Sequence, residues 1–261
     1  MRFRTARAPL LATVVLGATL AGCATPPPAS DPEALADYRE TNDPLEPTNR
    51  VFYAIANGID SVVLRPLAVG YRYGVPEGMR DHVHNVLANL NGPVLLANDM
   101  MQGKPRRAGD TLMRFVINST VGLGGIFDPA SGWGYPSHST DFGVTLGVWG
   151  VGEGPFLYLP ILGPSNPRDL GGLGADVAID PFTWFGQGAA VRNLGYVRYG
   201  MTAVDTRTAL LGDLDKIKAQ ALDPYATFRS LYRQHRESQI NAVKADTRAT
   251  TPDWFTAQPT H

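Results

Sequence analysis

Residues 49–64 read NRVFYAIANGIDSVVL, and this stretch indicates the fold class. Its apolar side chains recur every three or four residues, which places them on one stripe of an α-helix: Val51, Phe52, Ile55, Ile59, Val62 and Val63. Polar residues occupy the other faces: Arg50, Asn57, Asp60 and Ser61. The spacing predicts an amphipathic helix over 49–64, and packing against a protein core is the ordinary use of such a stripe.

The same helical periodicity continues through most of the chain. It predicts further helices over 77–90, 94–101, 107–118, 206–217 and 223–243. Asn91-Gly92-Pro93 is expected to break the chain between the first two of these, because glycine and proline both end helices. The pattern predicts a mainly α protein with a single domain of amphipathic helices.

The middle of the chain has a different composition. Glycines and prolines are dense between residues 122 and 174, with large apolar residues among them. Glycines at this density break helices and allow the backbone to approach other groups closely. We therefore predict an irregular middle region, with short strands at 144–149 and 156–160 as the alternative.

The N-terminus has the layout of a bacterial lipoprotein signal. Arg2, Arg4 and Arg7 precede an apolar run over 10–20, which leads to Leu20-Ala21-Gly22-Cys23. We expect cleavage before Cys23, a diacylglycerol group on its thiol and an acyl chain on its new N-terminus. Several acyl chains make membrane attachment stable. The alternative is an ordinary secretory signal that is cut near Ala24.

Composition excludes several classes of protein. The full chain carries a net charge of −1, and removal of the leader with its three arginines makes the mature chain more acidic. Nucleic-acid binding is therefore not expected, because it requires a basic surface. Cys23 is the only cysteine, which leaves none for an internal disulfide or a cysteine-based metal site. No run of 18 apolar residues follows the leader, and we therefore expect no further helix to cross a bilayer.

No motif indicates an enzyme strongly. Asp141-Phe142-Gly143 matches the magnesium-binding triplet of protein kinases, but neither a nucleotide loop nor a catalytic His-Arg-Asp accompanies it. A Gly-x-Ser-x-Gly elbow is missing. His82 and His84 are two residues apart and point to different sides of a helix. His138, with Ser137, Ser139 and Asp141, leaves a hydrolase as a minor alternative. We predict no catalytic residue and no metal.

Several segments together resemble the MlaA (VacJ-like) family of outer-membrane lipoproteins. The first matching stretches are Asp43-Pro44-Leu45-Glu46-Pro47, Asn49-Arg50, Leu64-Arg65-Pro66, Asn89-Leu90 and Gln102-Gly103-Lys104. The next are Arg114-Phe115, Asn118-Ser119-Thr120, Gly122, Gly124-Gly125 and the glycine-rich block over 141–155. The last are Leu159-Pro160, Leu162-Gly163-Pro164-Ser165, Arg168-Asp169, Asp223-Pro224-Tyr225, Arg229, Tyr232 and Arg236. Each stretch is weak alone, but together they are specific and span residues 43–236.

The resemblance implies a ring-like helical body lying in the periplasm-facing inner leaflet of the outer membrane, where it maintains lipid asymmetry. The residues themselves indicate a signal peptide over 1–22, an anchor and flexible linker over 23–44 that contains Pro26-Pro27-Pro28, and a polar, disordered tail over 244–261. The MlaA-like helical domain then covers 45–243. The implied partners are phospholipid, a trimeric porin and a soluble periplasmic phospholipid carrier.

Irregular backbone at membrane depth is tolerated only where it is buried in protein or lines a wet cavity. We therefore hypothesise that the glycine-rich region forms the bore of a passive phospholipid channel or its gate. The candidate residues are Gly122, Gly124, Gly125, Asp141, Phe142, Gly143, Gly147, Gly150, Gly152 and Gly154. The stripe of 49–64 would then face acyl chains. An envelope scaffold that binds porin without transport, and the hydrolase, stay as alternatives.

Overall fold

The computed structural model describes residues 30–33, 41–184 and 188–246. Helices dominate its first half: α1 (Glu46–Ile59), a π-helical segment (Asp60–Leu64), α2 (Arg65–Gly74), α3 (Glu77–Met101), α4 (Pro105–Thr120), α5 (Pro129–Gly132) and α6 (Phe142–Val148). A short hairpin, β1 (Leu157–Leu159) and β2 (Gly163–Ser165), comes next. The remaining elements are α7 (Pro167–Ile179), α8 (Pro181–Trp184), α9 (Ala189–Ala209), α10 (Leu211–Gln220) and α11 (Pro224–Lys244). The prediction of a mainly α fold is confirmed.

The first long helix does not end at Leu64, where the sequence predicted its end before Arg65-Pro66. It runs from Glu46 to Gly74 and passes through the π-helical segment. Proline normally breaks a helix interior because it lacks an N–H and crowds the preceding turn. The wider π turn changes the hydrogen-bond pattern directly before Pro66, so the missing donor falls where the regular ladder is already interrupted.

This continuation bears on one expectation about the membrane. The helix over Glu46–Gly74 has 29 residues, and by length and composition alone it meets the requirements for crossing a bilayer. Only 6% of its most apolar 18-residue window is buried inside the protein. Because no run of 18 apolar residues follows the leader, no further helix is expected from the sequence to cross a bilayer. That expectation stays a prediction, since length and composition alone do not show that a helix crosses a membrane.

Asn91-Gly92-Pro93 does not break the chain either. α3 continues through it as one helix of 25 residues. Gly92 lies against Phe115 of α4, and a Cβ at position 92 would come within 2.9 Å of Phe115 Cδ2. The close packing of α3 on α4 offsets the roughly 3 kcal/mol that an interior proline costs.

The middle region contains more regular structure than predicted. Residues 142–148 form α6 and not a strand, because Asp141 caps the helix by accepting a hydrogen bond from Val144 N at 2.9 Å. The strand alternative at 156–160 is confirmed in part, since β1 pairs antiparallel with β2. The predicted helix over 206–217 is wrong, because α9 ends at Ala209 and α10 begins at Leu211.

The chain divides into two compact units. The smaller unit combines the described residues up to Ala56 with Glu153–Pro167. Asn49 is buried in it and joins α1 to the hairpin: its Nδ2 donates to Asp43 Oδ1 at 2.8 Å and to the Phe156 carbonyl at 3.0 Å, and its Oδ1 accepts from Tyr158 N. Asn42 also belongs to this network, as its carbonyl accepts from Phe156 N. The ordered body thus includes the end of the predicted linker.

The larger unit combines Asn57–Gly152 with the described residues from Arg168 onward. α3 and α4 pack along each other within it, and α9 packs on α2 and α3. α11 lies against α6 and α10. This arrangement brings together the polar residues of the candidate site.

Candidate functional site

The first feature of the site is an exposed apolar stripe on the long helix. Val51, Ile55, Val62 and Leu67 are exposed, with Val62 at 76%. Val51, Ile55 and Val62 follow one another by four and seven residues, which places these three on one face. The prediction that this stripe packs against a protein core, which is the ordinary use of such a stripe, is therefore wrong for this helix. An uncovered apolar face of this length is typical of a surface that contacts lipid or a partner.

Further apolar side chains are exposed on other helices of the larger unit. On α4 and in the turn that follows it they are Leu112, Met113, Val116, Val121, Leu123, Ile126 and Phe127. On α7, α8 and α9 they are Leu173, Val177, Phe182, Trp184, Leu194, Tyr196, Val197 and Tyr199. The apolar surface thus extends well beyond the first helix.

The interior of the larger unit has the opposite character. Among its described residues, buried polar and charged side chains outnumber buried apolar ones. This reverses the usual distribution in water-soluble domains, where charged residues are almost never fully buried unless they are paired. An interior of this kind requires hydrogen bonds for its polar groups, and two networks supply most of them.

The first network is centred on Asp99 of α3. Its carboxylate accepts a hydrogen bond from Thr111 Oγ1 at 2.6 Å, lies 2.9 Å from His138 Nε2 and pairs with Arg107 Nε at 3.7 Å. Asp99 and Arg107 are fully buried. Burial lowers the pKa of Arg107, and the charge of Asp99 opposes this shift.

The polar residues beside Asp99 continue the network. Gln102 Nε2 donates to the hydroxyls of Thr140 and Thr145 at 2.7 and 2.8 Å. Thr145 in turn donates to Asn98 Oδ1 at 2.8 Å, and Asn98 Nδ2 donates to Asp176 Oδ1 at 2.8 Å. Burial raises the pKa of Asp176 above its ordinary value. The chain of bonds connects α3, α6 and α7.

The second network is centred on Arg236 of α11. Its guanidinium forms two hydrogen bonds to Asp141, at 2.6 and 2.8 Å, and lies 2.7 Å from Asp169 Oδ2. Asp169 also accepts from the Tyr232 hydroxyl and from Arg168 Nε. Two carboxylates and two guanidiniums are thereby compensated inside the unit.

These contacts shift the pKa values of the cluster. Burial alone raises the pKa of Asp169, but the charge and hydrogen bond of Arg236, with Tyr232 and Arg168, bring it below its ordinary value. Burial lowers the pKa of Arg236, but its contacts with Asp141 and Asp169 outweigh this, so its pKa is raised. Burial and Asp169 raise the pKa of the Tyr232 hydroxyl. The contacts within the cluster thus favour the ionised forms of Asp169 and Arg236.

This cluster predicts an acid-sensitive contribution to stability. Because the folded-state pKa of Asp169 is depressed, its contribution is complete above the unfolded-state pKa of about 3.9 and is lost as pH falls through the folded-state value. We expect the free energy of unfolding to fall more steeply below about pH 4 in the wild type than in Asp169→Asn. Urea unfolding in detergent at a series of pH values measures this, and equal slopes would contradict it.

The glycine-rich candidates for the bore or gate lie in different places. Gly122, Gly124 and Gly125 form the turn after α4, and Gly143 and Gly147 lie in α6. Gly150 and Gly152 belong to the loop after α6, while Gly154 belongs to the smaller unit. Asp141 and Phe142 begin α6, and the Phe142 ring contacts Trp149 edge to face at 5.8 Å.

Gly143 is a packing residue in the Arg236 cluster. A Cβ there would lie 2.6 Å from both Arg236 Nη2 and Asp169 Oδ1, and a Cβ added at Gly172 of α7 would lie 2.3 Å from Gly143 N. At Gly152, by contrast, nothing lies within 4 Å of an added Cβ. Of this pair, only Gly152 has room for a side chain.

We therefore expect Gly143→Ala to lower the free energy of unfolding by about 1–3 kcal/mol, because the clash forces the ion pairs apart. Gly152→Ala is the matched control and should change it by less than about 0.5 kcal/mol. Denaturant unfolding of both variants in detergent measures the difference. Equal stability of the two variants would show that Gly143 is not tightly packed.

The hydrolase arrangement considered from the sequence is not assembled with Asp141. His138 bonds to Asp99, whereas Asp141 bonds to Arg236. The part of the chain that the structure describes has no group of three or more His, Cys, Asp or Glu residues suited to a metal ion. Cys23, the predicted lipid attachment site, lies outside the described residues.

Comparison with known proteins assigns the family. The model of the MlaA lipoprotein family matches residues 41–239. The chain belongs to the MlaA lipoprotein family. A Haemophilus influenzae relative named "Intermembrane phospholipid transport system lipoprotein MlaA" is 34% identical over 250 residues, which cover 94% of this chain and 95% of the relative. An Escherichia coli K12 relative of the same name is 33% identical over 236 residues, covering 88% of each chain.

A solved structure of similar fold agrees with this assignment. It is described as "Structural basis for maintenance of bacterial outer membrane lipid asymmetry" and matches with a TM-score of 0.67 at 30% identity. The match covers 76% of this chain and 99% of that chain. The resemblance inferred from the sequence motifs is confirmed.

Residues of the MlaA-like motifs form hydrogen bonds that join helices and strands within each of the two units. Asn49 and Asp43 join α1 to the hairpin, while Asp141 and Arg236 join α6 to α11. Sequence analysis missed Asp99 and Arg107 entirely. The one available signal was an aspartate within the otherwise apolar end of α3, because a buried acid requires a partner.

Proposed function

We propose that this chain is a lipoprotein of an intermembrane phospholipid transport system that maintains outer-membrane lipid asymmetry by removing phospholipid from the outer leaflet. Membership of the MlaA lipoprotein family carries the proposal. The combination of exposed apolar helices with a buried polar interior supports it independently. These two properties suit a protein that sits among acyl chains and handles polar head groups.

The proposed location is the periplasm-facing inner leaflet of the outer membrane. A diacylglycerol group and an N-acyl chain on Cys23 would anchor the protein, and the ring-like helical body would lie in the leaflet with its apolar stripe towards acyl chains. Ala24 favours the outer membrane, because it is not the aspartate associated with inner-membrane retention in enteric lipoproteins. Mass spectrometry tests the anchor: the N-terminal peptide of the purified protein should carry the acyl groups on Cys23, and Cys23→Ala should abolish this modification.

The proposed mechanism is passive. A phospholipid crosses a bilayer slowly because its charged head group must enter hydrocarbon, which costs many kcal/mol. A polar passage through an apolar body lowers that barrier without an energy source. The lipid would then pass to a soluble periplasmic phospholipid carrier, and a trimeric outer-membrane porin would hold the protein in place.

The glycine loop after α6 is the proposed gate. Gly152→Val is the appropriate test because the position has open space, whereas Gly150 has a φ of +91°, at which valine is strained in any case. Gly171→Val, at an equally open position in α7, is the control. Slower lipid transfer by the Gly152 variant alone would support a gate at this loop, and equal transfer by both variants would argue against it.

We propose that the protein is not an enzyme. The bonding of Asp141 to Arg236 and of His138 to Asp99 favours structural roles for these residues over catalytic ones. A phospholipid hydrolase and a porin-binding scaffold without transport stay as the competing functions, and both make different predictions in one assay.

The deciding assay uses the acylated protein, with porin, in liposomes that contain radiolabelled phospholipid. A soluble carrier is added, and label is measured in the soluble fraction and in lysolipid. The proposal expects intact phospholipid on the carrier and no lysolipid. A scaffold would transfer nothing, and a hydrolase would produce lysolipid, so either result would overturn the proposal.

A further inference from the structure

The two halves of α9 have different surroundings. Its second half is held to the long helix, because Arg207 forms two hydrogen bonds to Asp60, at 2.6 and 3.0 Å. Its first half carries four large side chains that are each more than half exposed: Leu194, Tyr196, Val197 and Tyr199. So many exposed apolar and aromatic side chains in one short segment indicate a surface that another molecule covers.

These four side chains form two faces on opposite sides of the helix. Leu194 and Val197 are three residues apart and share one face, the Leu194 face. Tyr196 and Tyr199 share the other, the Tyr196 face, in the same way. Two residues turn an α-helix by about 200°, which sets these faces apart. A protein partner would bind one face and leave the other bare, whereas lipid surrounds a helix and accounts for the exposure of both.

The tyrosine hydroxyls limit how deep this half of α9 can lie. Neither Tyr196 nor Tyr199 forms a side-chain hydrogen bond to another residue that the structure describes. A hydroxyl that enters hydrocarbon without a partner loses its hydrogen bonds to water, which is costly. Leu194 and Val197, by contrast, gain free energy by leaving water. Both requirements are met at the boundary between acyl chains and head groups, where membrane proteins are enriched in tyrosine and tryptophan.

The charges of the segment agree with this depth. Residues 181–204 contain no aspartate or glutamate, and their only charged side chains are Arg192 and Arg198. Arg198 is 10% exposed and pairs with Asp180 at 2.8 Å, so its charge is compensated within the larger unit. The segment therefore presents no negative charge to a membrane surface, whose phosphate groups would repel one.

We propose that the first half of α9 lies at the head-group boundary of the monolayer, with the Leu194 face towards acyl chains and the hydroxyls of the Tyr196 face towards head groups. The proposal rests on the proposed location in the inner leaflet, and it adds a second lipid contact to the stripe of the long helix. An interfacial helix of this kind is buried about 5–10 Å into the boundary. Two separate contacts would hold the larger unit at one depth.

The test measures the depth of a fluorescent dye at single positions. Leu194→Cys and Tyr196→Cys are labelled with nitrobenzoxadiazole in the acylated protein and reconstituted, without porin, in phosphatidylcholine liposomes. Cys23 is the only natural cysteine and acylation blocks its thiol, so the wild type should take up no dye. Spin-labelled phospholipids quench the dye from within the bilayer, and iodide on both sides quenches it from water. Because a helix is about 10 Å wide, we expect the Leu194 dye to lie about 5–10 Å deeper than the Tyr196 dye.

Two further positions serve as controls. Lys216→Cys replaces a charged side chain that is 70% exposed, and its dye should be quenched by iodide but not by lipid. Val62→Cys reports on the stripe of the long helix, and its dye should be quenched by lipid. Val197→Cys and Tyr199→Cys repeat the comparison of the two faces, so the test stays decisive even if one labelled variant fails to fold.

Each outcome supports or overturns the proposal. Iodide quenching of both α9 dyes, together with lipid quenching at Val62, would overturn it and leave the membrane location intact. Equal depths at Leu194 and Tyr196 would also overturn it, because the two faces would not differ. Shielding of the α9 dyes from iodide only after a trimeric porin is added would show that this surface binds protein instead. Lipid quenching at neither Val62 nor α9 would refute the proposed location as well.

Discussion

Val62→Asp is expected to weaken liposome binding of the unacylated protein by roughly 60- to 300-fold, because it places a charge in the exposed apolar stripe of the long helix. Val62 is among the most exposed apolar side chains of that helix. An ionised side chain in hydrocarbon costs about 2.5–3.5 kcal/mol on insertion scales, and aspartate is too short to reach the head groups. A chain that begins at Ala24 is used, since the lipid anchor or the apolar leader would otherwise mask the change.

The matched control for this experiment is Ser61→Asp. Ser61 is the preceding residue and is also exposed, but it lies on a different face of the helix. Cosedimentation with zwitterionic liposomes measures the fraction bound for both variants, which avoids repulsion by anionic lipid. If the two variants bound equally well, the stripe would not contact acyl chains, and the proposed depth of the protein in the leaflet would fail with it.

Arg236→Ala is expected to lower the free energy of unfolding by about 3–5 kcal/mol. The change removes the main counter-charge of Asp169, whose side chain is 10% exposed, and that of Asp141, which is 39% exposed. Breaking one side of a buried ion pair, here the pair with Asp169, is strongly destabilising. The change also removes a cross-link between α6, α7 and α11. The effect should therefore exceed that of any surface substitution on the same helix.

Two further variants locate the cause of this effect. Arg236→Lys should cost less than Arg236→Ala, because a single ammonium keeps the charge but not the bidentate geometry. Glu237→Ala, at the exposed neighbouring position, should change stability by less than about 0.5 kcal/mol. Denaturant unfolding in detergent compares all three. A loss below about 1 kcal/mol for Arg236→Ala would mean that the two carboxylates find other partners.

The errors in the predicted helix boundaries have one physical origin. Asn91-Gly92-Pro93 and Arg65-Pro66 are local signals for a helix end, and both were overridden in the folded chain. Packing of Gly92 on Phe115 compensates the first, and the π-helical segment before Pro66 accommodates the second. Capping by Asp141 turned a possible strand at 144–149 into α6. Local preferences are worth a few kcal/mol at most, so tertiary contacts of similar size reverse them.

Periodicity alone determined that the chain is mainly α, because apolar side chains at three- and four-residue spacing fit only a helix. The motif order over 43–236 identified the family, which the match over 41–239 confirms. Only the tertiary structure decided which way each stripe faces. The stripe of Val51, Ile55 and Val62 is exposed, while Asp99, Arg107 and Arg236 are buried. Amphipathic spacing separates an apolar face from a polar one. It does not show which of the two faces is exposed, because that depends on whether water or lipid surrounds the protein.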